Sequence, residues 1–142
     1  MTNQQSDAAP AHSFSRLGVL LIDDDPFTHE LLGSMLRQLG VTRIASAADG
    51  ERGLAALRDG YGQPDVIICD INMPGKDGFE VMEAMAARHF EGAVILLSGM
   101  PERVLNSAAL MGRFHHLNVL GVVNKPVSKA ALSGLLAKVT PK

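Results

Sequence analysis

The chain has 142 residues, among them no tryptophan, one tyrosine and one cysteine, and aromatic residues make up only 4% of it. The single cysteine, Cys69, excludes an internal disulfide and fits a reducing compartment; inside an apolar run it reads as a small buried hydrophobe. An excess of charge is also missing. Thirteen Lys and Arg against fifteen Asp and Glu leave a formal net charge of −2, and the pI is near 6.2. Such a balance lacks the basic footprint that nucleic acid or an anionic membrane surface requires, so direct nucleic-acid binding is disfavoured. No stretch approaches the roughly 18 consecutive apolar residues of a membrane span, and the N-terminus lacks the basic-then-apolar order of a secretory signal. The expected location is the cytoplasm, with no membrane partner.

What the chain does have is a 46% hydrophobic content, enough for one core, arranged in four short apolar runs. These are Leu17–Asp24, Pro64–Asp70, Ala93–Ser98 and Leu120–Lys125. Runs of Val, Ile and Leu without polar alternation are the pattern of strands buried on both faces of a parallel sheet. Each ends in a residue able to handle a phosphate or a metal ion. Residues 1–15 are polar and small, with little apolar surface to offset the entropy of ordering, and are expected to form a flexible tail; residues 16–140 form the domain.

Helical patterns fall between the strands. Asp25-Pro26 resembles a helix start, an acidic N-cap followed by proline, and Phe27, Leu31, Leu32, Met35, Leu36 and Leu39 follow at helical spacing until Gly40. Val41 to Ala47 is a weaker strand, and a short helix runs from Asp49-Gly50 towards Gly60. After Asp70 comes the turn-rich segment Met73–Gly78, then a helix over Phe79, Val81, Met82, Met85 and Ala86. A fourth helix carries Val104, Leu105, Ala108 and Leu110 to Met111, and Ser128 caps a terminal helix with Leu132, Leu135, Leu136 and Val139. Five strand–helix units with right-handed crossovers imply an α/β fold: a doubly wound, flavodoxin-like (βα)5 five-stranded parallel sheet of strand order 2-1-3-4-5.

In that topology the carboxyl ends of the strands line one crevice, where Asp23, Asp24, Asp70, Ser98 and Lys125 converge. Two carboxylates about 4 Å apart repel by roughly 4 kcal/mol at an effective dielectric of 20, so a bare cluster would protonate or recruit a cation. Oxygen donors with no Cys or His pair nearby favour Mg²⁺, which keeps several waters and bridges to phosphate. Lys125 supplies a point charge and Ser98 a hydroxyl donor for phosphoryl oxygens. Asp70 is the best nucleophile, because a carboxylate can form an aspartyl phosphate.

These residues resemble the receiver domain of bacterial two-component response regulators from about Leu17 to Val139. The most specific stretch is Asp70-Ile-Asn-Met-Pro-Gly-Lys-Asp-Gly78, joined in order by Asp23-Asp24, Ser98 and Lys125-Pro126. The resemblance implies that Asp70 accepts a phosphoryl group from a histidine kinase or phosphotransfer protein. It implies that Asp23, Asp24 and Asp70 hold Mg²⁺ with the backbone carbonyl of Asn72, that Ser98 and Lys125 bond the acyl phosphate, and that Lys125-Pro126 is cis. The output surface is the face of the fourth helix, fifth strand and fifth helix, read by an unknown downstream protein, with the chain a monomer or a phosphorylation-dependent dimer. A domain of this kind is a signalling phosphoacceptor that promotes only its own phosphorylation and dephosphorylation, not an enzyme acting on other substrates.

Two departures stand out. Val122 occupies the place, three before the lysine, where the family usually has Tyr or Phe. The interval from Ser98 to Lys125 is 27 positions, longer than usual, with extra length around Met111–Leu117. The segment before Val119–Pro126 is similar to receivers that precede cyclic-di-GMP phosphodiesterase domains. The competing reading is a pseudo-receiver acting as a constitutive interaction or dimerisation module. A haloacid-dehalogenase-like phosphatase is disfavoured because Asn72 stands where such enzymes place a second aspartate. Asp25 and Asp77 read as helix caps, His115 and His116 as surface residues, and Met82, Met85, Met100 and Met111 as filler or loop anchors.

Overall fold

A computed structural model describes residues 14–58, 63–73, 78–99 and 117–139. In chain order these form β1 (Gly18–Ile22), α1 (Pro26–Gln38), β2 (Arg43–Ala47), α2 (Gly50–Arg58), β3 (Val66–Asp70), α3 (Gly78–Ala87), β4 (Ala93–Ser98), β5 (Asn118–Asn124) and α4 (Lys129–Leu136). All strand pairs are parallel and the order is β2-β1-β3-β4-β5, the expected doubly wound sheet. The helix expected over Val104–Met111, together with Asp77, Met100, His115 and His116, lies outside the described residues.

The unbroken apolar runs become β1, β3 and β4, in which every residue is buried. Successive side chains in a strand point to opposite faces, so each run feeds two cores. On one face Leu20, Ile22, Ile67, Cys69, Val94 and Leu96 meet Leu54 and Leu57 of α2 and Val81, Met82 and Met85 of α3. On the other, Val19, Leu21, Val66, Ile68, Ile95 and Leu97 meet Leu32 and Leu36 of α1 and Leu132 and Leu136 of α4. Each fully buried leucine contributes about 1.5–3 kcal/mol, so these two layers supply most of the force that holds the strand ends in line. Cys69 is fully buried, and Met82 and Met85 are core filler.

β2 is shorter than the expected Val41–Ala47. Val41 precedes it as a buried anchor in the second layer, and its amide bonds to Leu36 O at 2.9 Å, closing the turn after α1. Only Ala47 of the strand is buried, as suits an edge. Gly40 sits at φ 97°, the left-handed conformation that ends α1. Phe14, inside the segment expected as a tail, is buried in the second layer, and Leu17 N donates to its carbonyl at 3.1 Å.

Candidate functional site

Ile22, Asp70, Ser98 and Asn124 end four parallel strands, and this register decides where the polar side chains meet. The ladder continues just past the strands. Asp23 N donates to Ala47 O at 3.2 Å, Ile71 N to Leu97 O at 3.0 Å and Lys125 N to Ser98 O at 2.9 Å. Asp23, Asp70 and Ser98 are thereby buried at one edge, with exposures of 1%, 3% and 0%. Asp24 and Asn72 are exposed. One carboxylate oxygen from each of Asp23, Asp24 and Asp70 lies within 4.8 Å of the others, a cluster able to hold a metal ion.

Lys125, just past the end of β5, reaches this cluster. Its Nζ stands 3.0 Å from Asp23 Oδ2 and 3.2 Å from Asp70 Oδ2. The second contact is also a hydrogen bond. Asp70 Oδ1 accepts the Asn72 amide at 3.2 Å, and Asp23 Oδ1 accepts the Asp25 amide at 2.8 Å. Lys125-Pro126 is cis, as expected.

One cation does not balance these carboxylates. Burial, and then the charge of Asp23, push the Asp70 carboxyl above its ordinary value, against the opposing pull of Lys125 and the Asn72 amide. Burial also works against the Lys125 ammonium, but Asp23 and Asp70 outweigh it and raise its pKa. Asp23 Oδ2 is buried, and the ammonium that stands 3.0 Å from it is shared with Asp70. A buried oxygen left in that state, beside two further hard oxygen donors, fits a divalent cation such as Mg²⁺.

The helices are tied to this edge by their own caps. Asp25 is the N-cap of α1, accepting Phe27 N at 3.0 Å and the Thr28 hydroxyl at 3.1 Å. Ser128 caps α4 by accepting Ala131 N at 3.1 Å. Two contributors are not apparent in the sequence. The His29 ring makes a 2.6 Å hydrogen bond to the Asp23 carbonyl. Gly78 lies so close to β3 that a Cβ there would stand 2.5 Å from Ile71 Cα and 2.9 Å from Asp70 O. The Asp-Gly pair in the sequence marks a turn but does not show what the glycine touches. Val122 is partly buried against the first layer and supplies no ring to this edge.

A flavodoxin-like sheet with a carboxylate cluster and a lysine at its switch point defines an α/β domain built for phosphate and metal chemistry. The chain belongs to the response regulator receiver domain family, whose model matches residues 19–137. It is a receiver signalling module with the acidic pocket Asp23, Asp24 and Asp70, consistent with phosphoacceptor function. It is 32% identical over 127 residues to the probable chemotaxis protein CheY of Rhizobium etli, covering 84% of this chain and 92% of that protein. It is 30% identical over 122 residues to the cyclic di-GMP phosphodiesterase RocR of Pseudomonas aeruginosa, covering 86% of this chain and 31% of that protein. A chain of the CheX–CheY–BeF3–Mg²⁺ complex from Borrelia burgdorferi superposes with a TM-score of 0.73 at 25% identity, covering 84% of this chain and 86% of that one. This chain spans 46%, 37% and 31% of the length of three curated relatives it matches. Among the described residues no helix is long and apolar enough to cross a membrane.

Proposed function

We propose that this receiver accepts a phosphoryl group on Asp70 from a phosphohistidine of a histidine kinase or phosphotransfer protein, in the cytoplasm, and passes the signal to a protein partner. The observation that carries this reading is the buried Asp70 carboxylate facing Lys125 at 3.2 Å within a three-carboxylate cluster. An Asp70 oxygen attacks phosphorus, an O–P bond forms as the N–P bond breaks, and the imidazole leaving group keeps the electron pair. Asp23, Asp24, Asp70 and the Asn72 carbonyl would hold Mg²⁺, which when bound neutralises charge on the transferring oxygens. Lys125 opposes the rise in the Asp70 pKa before transfer and pairs with a phosphoryl oxygen afterwards. Ser98, at the end of β4, bonds another, and the change at that strand end passes to the face that includes β5 and α4.

The 30% identity to RocR supports the finer reading that this domain is of the kind that precedes cyclic-di-GMP phosphodiesterase domains. Val122 favours the runner-up, a pseudo-receiver, because it removes the aromatic partner of Ser98. One experiment separates the two. Incubation with acetyl phosphate and Mg²⁺, followed by intact mass measurement, is expected to add one phosphoryl group that is lost with EDTA and in Asp70→Asn. No addition to the wild type, or undiminished addition to Asp70→Asn, overturns the proposal.

A further inference from the structure

We propose that His29 is a positioning residue of the cation pocket, holding the Asp23–Asp24 peptide so that both carboxylates face the same ion. The inference rests on the reading of that pocket as a Mg²⁺ site. His29 lies one turn into α1, and its amide donates to Asp25 O at 3.2 Å as one of the first bonds of the helix. Its ring turns back to the strand end, with Nε2 2.6 Å from the Asp23 carbonyl oxygen. A carbonyl oxygen carries no proton, so Nε2 is the donor. Nδ1 is buried and has no hydrogen bond, so the Asp23 carbonyl is what the ring polar atoms address.

Both polar backbone atoms of Asp23 and one of its carboxylate oxygens are then held. Its N–H is bonded to Ala47 O at 3.2 Å and its Oδ1 to the Asp25 amide at 2.8 Å. Its carbonyl is bonded to His29, and Oδ2 alone is left for Lys125 and a cation. The Asp23 carbonyl shares its peptide plane with the Asp24 amide, so the histidine also sets the direction in which Asp24 leaves the strand. Asp24 is exposed, so the direction of its backbone, rather than packing, sets where its carboxylate lies. Without the ring donor the 23–24 peptide can rotate, and Asp24 can swing out of the cluster with little loss of packing.

The test uses the full chain, with Mg²⁺ binding by calorimetry and the Asp24 amide resonance of metal-free protein as readouts. His29→Leu keeps the volume and removes the donor. His29→Gln places an amide nitrogen the same number of bonds from Cβ as Nε2. We expect His29→Leu to weaken Mg²⁺ binding about tenfold and to shift the Asp24 resonance, with the metal-free melting temperature little changed, and His29→Gln to restore both. If His29→Leu does not fold, His29→Asn, one bond too short to reach, takes its place. Wild-type affinity in the Leu variant, or a Gln variant as weak as Leu, overturns the role. A wild type that binds no Mg²⁺ overturns the pocket reading instead, and the Asp24 resonance then decides the placement by itself.

Discussion

Asp65 and Asp70 bracket β3, five residues apart and both almost fully buried at 4% and 3% exposure, yet their surroundings are opposite. At the amino end of the strand, Asp65 Oδ2 accepts the Gly18 amide at 2.7 Å and lies 3.5 Å from the Arg43 guanidinium. That guanidinium also donates to Arg16 O at 2.9 Å. Asp65 also extends the ladder, its amide donating to Gly18 O at 2.8 Å and its carbonyl accepting Ala93 N at 2.9 Å. At the carboxyl end, Asp70 faces another buried aspartate and shares one lysine with it. A buried charge surrounded by donors is part of the scaffold. One left short of positive charge stores a demand that a ligand can meet.

The contrast can be broken in three ways. The largest effect is expected from Asp65→Ala, which strands the Gly18 amide in the interior and should lower unfolding stability by about 2 kcal/mol in urea titration, with Mg²⁺ affinity unchanged. A loss of metal binding in that variant would show that the two ends are coupled. Next, Mg²⁺ at ten times its dissociation constant should stabilise the wild type by about 1.4 kcal/mol, and Asp65→Ala equally, but Asp70→Asn much less. The smallest effect has the opposite sign to Asp65→Ala: in metal-free protein Asp70→Asn should raise stability by about 1 kcal/mol while abolishing phosphorylation. This gain should depend on pH. Because the folded Asp70 carboxyl is raised above its ordinary 3.8, its stabilising proton is fully bound below that value and lost as pH rises through the raised one. The advantage of Asp70→Asn should therefore shrink on acidification from neutrality. An advantage that grows would show that Lys125 already satisfies Asp70.

Much of this was legible in the residues. Leu17–Asp24, Pro64–Asp70 and Ala93–Ser98 read as buried strands because both faces of the sheet are covered, and their terminal residues followed from parallel topology. Asp25 and Ser128 were visible as caps because capping is local in sequence. β2 was harder. As an edge strand it buries little, so its pattern is weak and Val41, outside it, looks like part of it. The demands on Asp65, His29 and Gly78 were hidden for a different reason: they are set by partners that only the fold brings near, in the case of Asp65 the amide of Gly18, 47 residues away.

The 2.9 Å bond from the Lys125 amide to the Ser98 carbonyl has a consequence for how such a domain can diversify. It fastens together the two ends of the long interval at the strand edge, beside the pairing of β4 with β5. Chain added between them costs little in closure entropy, about 0.6 kcal/mol for each doubling of length, and need not displace either side chain. The part of the interval before β5 is therefore a place where sequence can be gained, lost or grafted while the chemistry at the strand ends stays in register.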